Sequence, residues 1–488
     1  MDIKRVLALQ GCFLLCLTSF GQANKIAAIE SNLKEVREFI FEDSIYHTYN
    51  IVDRMKFYKV PSVSISVINN GKIEWTRTYG FADVASERKP NVHTLYQVAS
   101  ISKSVNSYGI MRLVQQEKLS LTQDIRSYLK TWPFPENELS QGKRITLKNL
   151  LSHSAGLSVH GFMGYSISDT IPTINQILNG ERPANNNPVC PMYVPGEHFE
   201  YSGGGSMVIM KILEDNISRN YDSIMLALVL MPLRMTNSTF SQPLSSRYKN
   251  YAYGYDKDMN VLKENYYIYP ELAAGGLWST SADIAKFVVA VQKNLEGDPK
   301  ALVDKPLAEE MLTPVLDNYA LGFGIVEKGG EKYFWHEGES YGYNSIYYGS
   351  FTTGKGAVIL TNAFPSNGHP FIQELLNSVA TVYDWKGFYN PIRKKIAYVP
   401  DSVLDKYRGV YYCENPRLTI AITRKGHELE LTARRPEKMY ATKIDTFFLA
   451  SSPNDSCFFS SSKDDGHVDT FEVIQEGKSI IRAVKNDR

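Results

Sequence analysis

Ser100-Ile101-Ser102-Lys103 sets a hydroxyl and an amine three residues apart, at the start of a run whose apolar spacing predicts a helix from Ser100 to Glu117. On a helix, positions i and i+3 share a face, so the two side chains meet. Serine alone is a weak nucleophile and needs a base. Lysine becomes one when burial or nearby positive charge brings its pKa down from about 10.4. A serine at a helix start also feels the positive end of the helix dipole. The pattern is common on surface helices, and this chain repeats it at Ser31-Asn32-Leu33-Lys34 and Ser460-Ser461-Ser462-Lys463. Ser100 is singled out by two motifs that follow it in order.

The first is Tyr201-Ser202, then Gly203-Gly204-Gly205. A tyrosine ahead of glycines can present its phenol at a cleft floor, because glycine lets a backbone approach a ligand closely; the bland alternative is a turn with a buried tyrosine. The second is His336-Glu337-Gly338, where the imidazole could donate to an anion or steer protons, against the alternative of a satisfied histidine at a strand end. Gly338 would then let an acyl group lie against the strand edge. One decoy is present: Gly338-Glu339-Ser340-Tyr341-Gly342 matches the G-x-S-x-G nucleophile elbow, but the residues after it read as a strand where the elbow needs a helix. No H-E-x-x-H, C-x-x-C pair or phosphate-binding glycine loop occurs, so no metal, cofactor or nucleotide is expected.

The elements that must hold these residues come in two blocks. Ser62 to Ile68 and Lys72 to Tyr79 alternate around Asn70-Gly71 as a hairpin, and strand-like runs return near Tyr333, at Ser345 to Tyr348 and at Gly356 to Thr361. Between them the pattern is mostly helices and loops, and a helix follows from about Pro370 to Tyr383. The simplest packing is an α+β domain: one antiparallel sheet drawn from both ends, flanked by helices, with a mostly helical subdomain. Residues 389–400, with Pro391, Pro400 and Arg393-Lys394-Lys395, read as a linker. From 401 to 488, short strands at even spacing predict a small barrel or sandwich.

Residues 1–23 have the layout of a signal peptide: Lys4 and Arg5, then an apolar run from Val6 to Leu17, then the small residues Ser19, Gly21 and Ala23. Leu9-Gln10-Gly11-Cys12 resembles a lipoprotein box, but Cys12 lies inside the apolar run and its lipidation is not expected. No later stretch is long and apolar enough for a membrane span. Cys190, Cys413 and Cys457 remain after that segment; Cys413 and Cys457 either pair or stay as buried thiols. A formal net charge of +1 gives no broad attraction for nucleic acid or acidic membranes. The partner expected is a small-molecule or short-peptide substrate; oligomeric state is not legible.

The order Ser-x-x-Lys, Tyr-Ser, His-x-Gly resembles the serine β-lactamase and penicillin-binding protein superfamily, in its class C-like branch. Leu150 to Leu157, Pro195-Gly196-Glu197, Pro232 to Met235 and Gly275 to Thr280 look family-like too. The likeness spans about residues 45–385, within a domain drawn at 24–388, and the region from 401 resembles the lipocalin-like barrel often appended there. The resemblance implies that Ser100 forms an acyl-enzyme and that Lys103 and Tyr201 share the proton work. It puts the oxyanion between the backbone N–H groups of Ser100 and Glu339, with His336, Gly338, Ser202 and Gly203 around the substrate. Two departures matter. Gly203 stands where many members have asparagine, and His336 stands where β-lactamases have lysine, so weak β-lactam hydrolysis at most is expected. The expectation is an exported, periplasmic serine hydrolase for an ester or D-amino-acid amide. The alternatives are an acyltransferase using the same acyl-enzyme, or a non-catalytic binding or sensor protein of the same fold.

Overall fold

The computed structural model describes residues 21–35, 39–41, 48–390, 394–433, 436–449, 451–461 and 467–486. The expected export segment therefore lies outside the described residues up to position 20; positions 21–31 are helical. No described helix is long and apolar enough to cross a membrane.

Six strands form one antiparallel sheet in the order Lys72–Gly80, Ser62–Asn69, Gly356–Thr361, Tyr343–Ser350, Glu331–Ser340, Gly324–Lys328. The two ends of the domain meet where Ser62–Asn69 pairs with Gly356–Thr361. Asn70 and Gly71, at φ 52° and 66°, close the first hairpin in the doubly left-handed geometry that favours Asn-Gly. The alternation in Ser62–Asn69 suggests one wet face, but both faces are buried. Val63, Ile65 and Val67 enter one core with Phe371, Leu375 and Val379 of the helix Pro365–Val382. The serines face the helix Ser281–Glu296, where the Ser64 and Ser66 hydroxyls lie 2.8 and 2.9 Å from that of Ser281. A polar face is buried without penalty here because its hydroxyls satisfy one another. Pro365–Val382 begins five residues before the expected Pro370, which the helix carries inside it.

The helix Ile101–Gln115 is buried on almost every side. Its small polar residues make this tolerable: Ser104 Oγ donates to Gly322 O at 2.7 Å, and Asn106 Oδ1 accepts from the Tyr221 hydroxyl at 2.9 Å.

The second unit contains a closed eight-stranded antiparallel barrel from Gly409–Cys413 to Lys478–Lys485. Seven of its strands coincide with the runs legible in the sequence. The eighth, Pro436–Ala441, opens on Pro436-Glu437-Lys438 and hides its alternation until Met439 and Ala441, which are buried. The expected linker holds a strand, Lys394–Ile396, which pairs in parallel with Phe39–Phe41. Phe39–Phe41 falls in one compact unit with the residues from Asn390 onward, and residues 48–389 fall in the other. Cys413 and Cys457 are both buried free thiols. Their strands, Gly409–Cys413 and Ser456–Ser460, are not neighbours in the barrel.

Candidate active site

Ser100 sits at the N-cap of Ile101–Gln115, presented by an unusual backbone. Ala99 before it has φ +43°, a left-handed conformation that costs a non-glycine residue roughly 1–3 kcal/mol. The surroundings hold it there. Tyr96–Gln97 pairs with Trp278–Ser279, Val98 N–H donates to Leu277 O at 3.1 Å, and Ser102 Oγ accepts from Leu277 N–H at 3.0 Å. The sharp turn leaves the Ser100 hydroxyl at the edge of a cavity of about 780 Å³, walled entirely by the first unit.

Lys103 Nζ lies 3.0 Å from Ser100 Oγ and donates to Ala274 O at 2.7 Å. It is 5% exposed, and burial brings its pKa down from 10.5 to about 7. The amine is thus partly neutral near neutral pH and able to accept the serine proton. The Tyr201 phenol faces the same cavity as Ser100, and burial pushes it well above the ordinary range, so it carries its proton. The Lys103 ammonium position is 4.9 Å from the centre of the Tyr201 ring. Of the two candidates, Lys103 is the group poised as base and Tyr201 the group poised as donor.

Ser202 and Gly203 do not line the cavity, contrary to expectation. Ser202 caps the helix Gly203–Ile217: its Oγ accepts from Gly205 N–H at 2.9 Å and donates to Ser158 O at 2.7 Å. A Cβ on Gly203 would meet the Phe162 ring at 2.9 Å and His160 O at 3.2 Å. The space an asparagine side chain would take is filled by residues 160–162. These two residues fix Tyr201 rather than touch a ligand.

Gly338 is required by packing, not by an approaching acyl group. A Cβ there would sit 2.1 Å from Val98 O, in the segment leading into Ser100. His336 is buried and lines the cavity, but neither ring nitrogen is available. Nδ1 lies 2.6 Å from Glu337 O and must be protonated to make that bond, so Nε2 accepts from the Tyr319 hydroxyl at 2.9 Å. Burial and the nearby Lys103 bring its pKa to about 3, so it is a neutral orienting group and not a cation.

Glu339 contributes through its backbone. Tyr341 and Gly342 form a two-residue turn, so Ser340 and Tyr343 are a hydrogen-bonded pair and Glu339–Asn344 is not. The Glu339 N–H therefore points away from Tyr343–Ser350, to an edge that Gly324–Lys328 stops covering at Trp335. Together with the Ser100 N–H at the helix start this provides two donors for an oxyanion. The G-x-S-x-G decoy fails on geometry: Ser340 is in a strand that turns back into a strand, and its Oγ lies 3.3 Å from Gln97 Oε1.

Sequence reasoning misses three neighbours. Tyr319 carries no motif and joins the site only by folding. His153, inside the family-like segment at Leu150 to Leu157, packs against Tyr201 with ring centres 4.3 Å apart and planes tilted by 44°, and accepts from Ser202 N–H at Nδ1. Glu271, just before Gly275 to Thr280, lines the cavity and is wholly buried.

A helix-flanked antiparallel sheet with a buried Ser-x-x-Lys helix, a facing tyrosine and a strand edge opposite them is the β-lactamase/transpeptidase fold. Residues 49–379 match the Beta-lactamase family, and the chain belongs to it. Protein flp of Staphylococcus aureus is 26% identical over 325 residues, 65% of this chain and 63% of that protein. The chain thus spans under two thirds of the length of that relative. A teichoic acid D-alanine hydrolase of the same species is 25% identical over 311 residues, 62% of this chain and 70% of the other. Among solved structures, an octameric penicillin-binding protein homologue from Pyrococcus abyssi superposes with a TM-score of 0.61 at 23% identity, covering 89% of this chain and 98% of that one. The D-amino acid amidase of Ochrobactrum anthropi superposes with a TM-score of 0.56 at 20% identity, covering 68% and 97%.

Proposed function

We propose that the protein is a serine hydrolase that cleaves a D-aminoacyl ester or amide through an acyl-enzyme on Ser100. The observation that carries this is the Ser100 hydroxyl 3.0 Å from the Lys103 amine, with the Tyr201 ring 4.9 Å from that amine and a lysine whose pKa burial brings to about 7. The D-aminoacyl part is supported by two relatives whose names state D-alanine hydrolase and D-amino acid amidase activity.

In the first half-reaction the neutral Lys103 amine takes the Ser100 proton as Oγ bonds to the carbonyl carbon. The carbonyl oxygen gains negative charge and accepts from the Ser100 and Glu339 N–H groups. The Tyr201 phenol gives its proton to the departing oxygen or nitrogen, and protonated Lys103 restores the phenol. Water then attacks the ester carbon as neutral Lys103 takes its proton; the acyl–Oγ bond breaks, the acid departs, and Lys103 passes that proton to Ser100 Oγ. His336, neutral and engaged at both nitrogens, offers no charge to an anionic substrate. That favours weak β-lactam hydrolysis at most. Export to the periplasm is part of the same reading and rests on Lys4, Arg5 and the apolar run Val6 to Leu17.

The test is an intact mass after incubation with short acyl p-nitrophenyl esters, with Ser100→Ala alongside. The expected result is nitrophenol release and a mass gain on the wild type alone. Equal turnover by Ser100→Ala refutes the assignment.

A further inference from the structure

Gly275 is a glycine that neither backbone conformation nor protein packing requires. It closes the helix Leu272–Gly275, and its φ is not left-handed. A glycine in a helix is less favourable than an alanine, so its presence needs another reason. A Cβ built on it meets only the Ala99 carbonyl carbon, at 4.0 Å, an ordinary contact. Other glycines around the site differ: a Cβ on Gly276 would lie 2.7 Å from Leu272, and one on Gly338 2.1 Å from Val98 O. Gly275 is half-buried and lines the Ser100 cavity, so the space over its Cα belongs to that cavity. A side chain longer than a methyl would enter that space beside Ala99, next to the nucleophile.

We infer that Gly275 opens an acyl subsite, and that the acyl group taken by the enzyme bears a bulky apolar side chain, of leucine or phenylalanine size. This rests on the hydrolase reading and narrows its substrate class. The carbonyl oxygen lies on the Ser100 and Glu339 N–H groups, and the leaving atom lies at the Tyr201 phenol. One substituent of the reacting carbon then remains to be housed, the acyl chain. The Tyr201 wall is closed by rings, with His160 and Tyr319 centred 5.0 and 6.5 Å from its own. The wall at Gly275 is bare backbone, and a bulky group has room there. The cavity of about 780 Å³ exceeds what an alanyl group fills, and it is of the size that encloses a much larger ligand. Its walls are chiefly apolar, with Phe162, Tyr269, Ile325 and Trp335 among them. Lys103, the one lysine or arginine lining it, is already engaged by Ser100 and Ala274 O. Such walls reward apolar area, about fourfold in binding for each methylene taken out of water.

The test measures kcat/KM on two pairs of substrates. One pair is the p-nitroanilides of D-alanine and D-phenylalanine. The other is p-nitrophenyl acetate and phenylacetate, which make the same hydrogen-to-phenyl step without an amine. The wild type is expected to favour the larger acyl group of each pair by about tenfold or more. Gly275→Leu places a side chain in the subsite and is expected to lower that preference about 100-fold, so that the smaller acyl group becomes the better substrate. Each preference is a ratio within one protein, so a loss of folded enzyme cancels, and the wild-type preference needs no variant at all. A wild type that treats both members of a pair alike or favours the smaller, or a preference that survives in Gly275→Leu, overturns the acyl subsite and leaves the hydrolase reading standing. Absence of turnover and of any Ser100 adduct with every probe removes the hydrolase reading, and this one with it.

Discussion

Replacing Lys103 by methionine removes a buried amine while keeping its bulk, and the structure predicts a stability change that reverses sign with pH. The amine titrates at about 7 in the folded chain and 10.5 when unfolded. Below pH 7 both states are protonated, and the folded state bears the cost of a buried charge. That difference corresponds to about 5 kcal/mol. Between pH 7 and 10.5 the unfolded chain binds more protons, so wild-type stability rises with pH. Above 10.5 the amine is neutral in both states and the cost is gone. Methionine also leaves Ala274 O without its donor, a loss of about 1–3 kcal/mol at any pH. Lys103→Met is therefore expected to be more stable than wild type by about 2–4 kcal/mol at pH 6 and less stable by about 1–3 kcal/mol at pH 10.5. Denaturant melts of the two proteins across pH 6 to 10.5 measure this directly. The kinetic counterpart is acylation of wild-type Ser100 that climbs tenfold per pH unit to a plateau above about 7. A stability difference that is flat from pH 6 to 10 means that Lys103 titrates like a solvated lysine. In that case its neutral form is too scarce to be the base, and the mechanism is wrong at its first step.

Tyr201→Phe is expected to lower kcat for anilide substrates by about 10²–10⁴, and to cost far less with p-nitrophenyl esters, whose leaving group departs without a proton. Steady-state rates on matched ester and anilide substrates check it; equal losses on both contradict a donor role. Gly338→Ala drives a methyl into Val98 O and is expected to destabilise the fold by about 1–3 kcal/mol while slowing Ser100 acylation. Thermal melts paired with adduct kinetics check this, and an unchanged melt with slowed acylation restores the idea that the glycine makes room for a ligand.

Much of this was legible in the chain itself. The local rules of helix, hairpin and strand show in Ser100-Ile101-Ser102-Lys103, in Asn70-Gly71 and in seven of the eight barrel strands, because each is decided by neighbours a few residues apart. The strand Pro436–Ala441 escaped because its first three residues carry no apolar alternation. The serine face of Ser62–Asn69 misled for a related reason: alternation reports polarity, and only packing against Ser281 decides that those hydroxyls face protein instead of water.

The candidate site divides in the same way. Sequence determined which residue types were on offer, a hydroxyl and an amine one helical turn apart, followed by a tyrosine and a histidine. Tertiary structure decided what each can do. Burial lowers the Lys103 pKa and keeps Tyr201 protonated, and the Tyr319 hydroxyl and Glu337 carbonyl turn His336 into a fixed neutral ring. Gly338 answers to the Val98 carbonyl, and Glu271 is left in the wall with no partner. Those outcomes depend on desolvation and on contacts such as Lys103 with Ala274 and Gly338 with Val98, more than a hundred residues apart in the chain, and no local pattern encodes either.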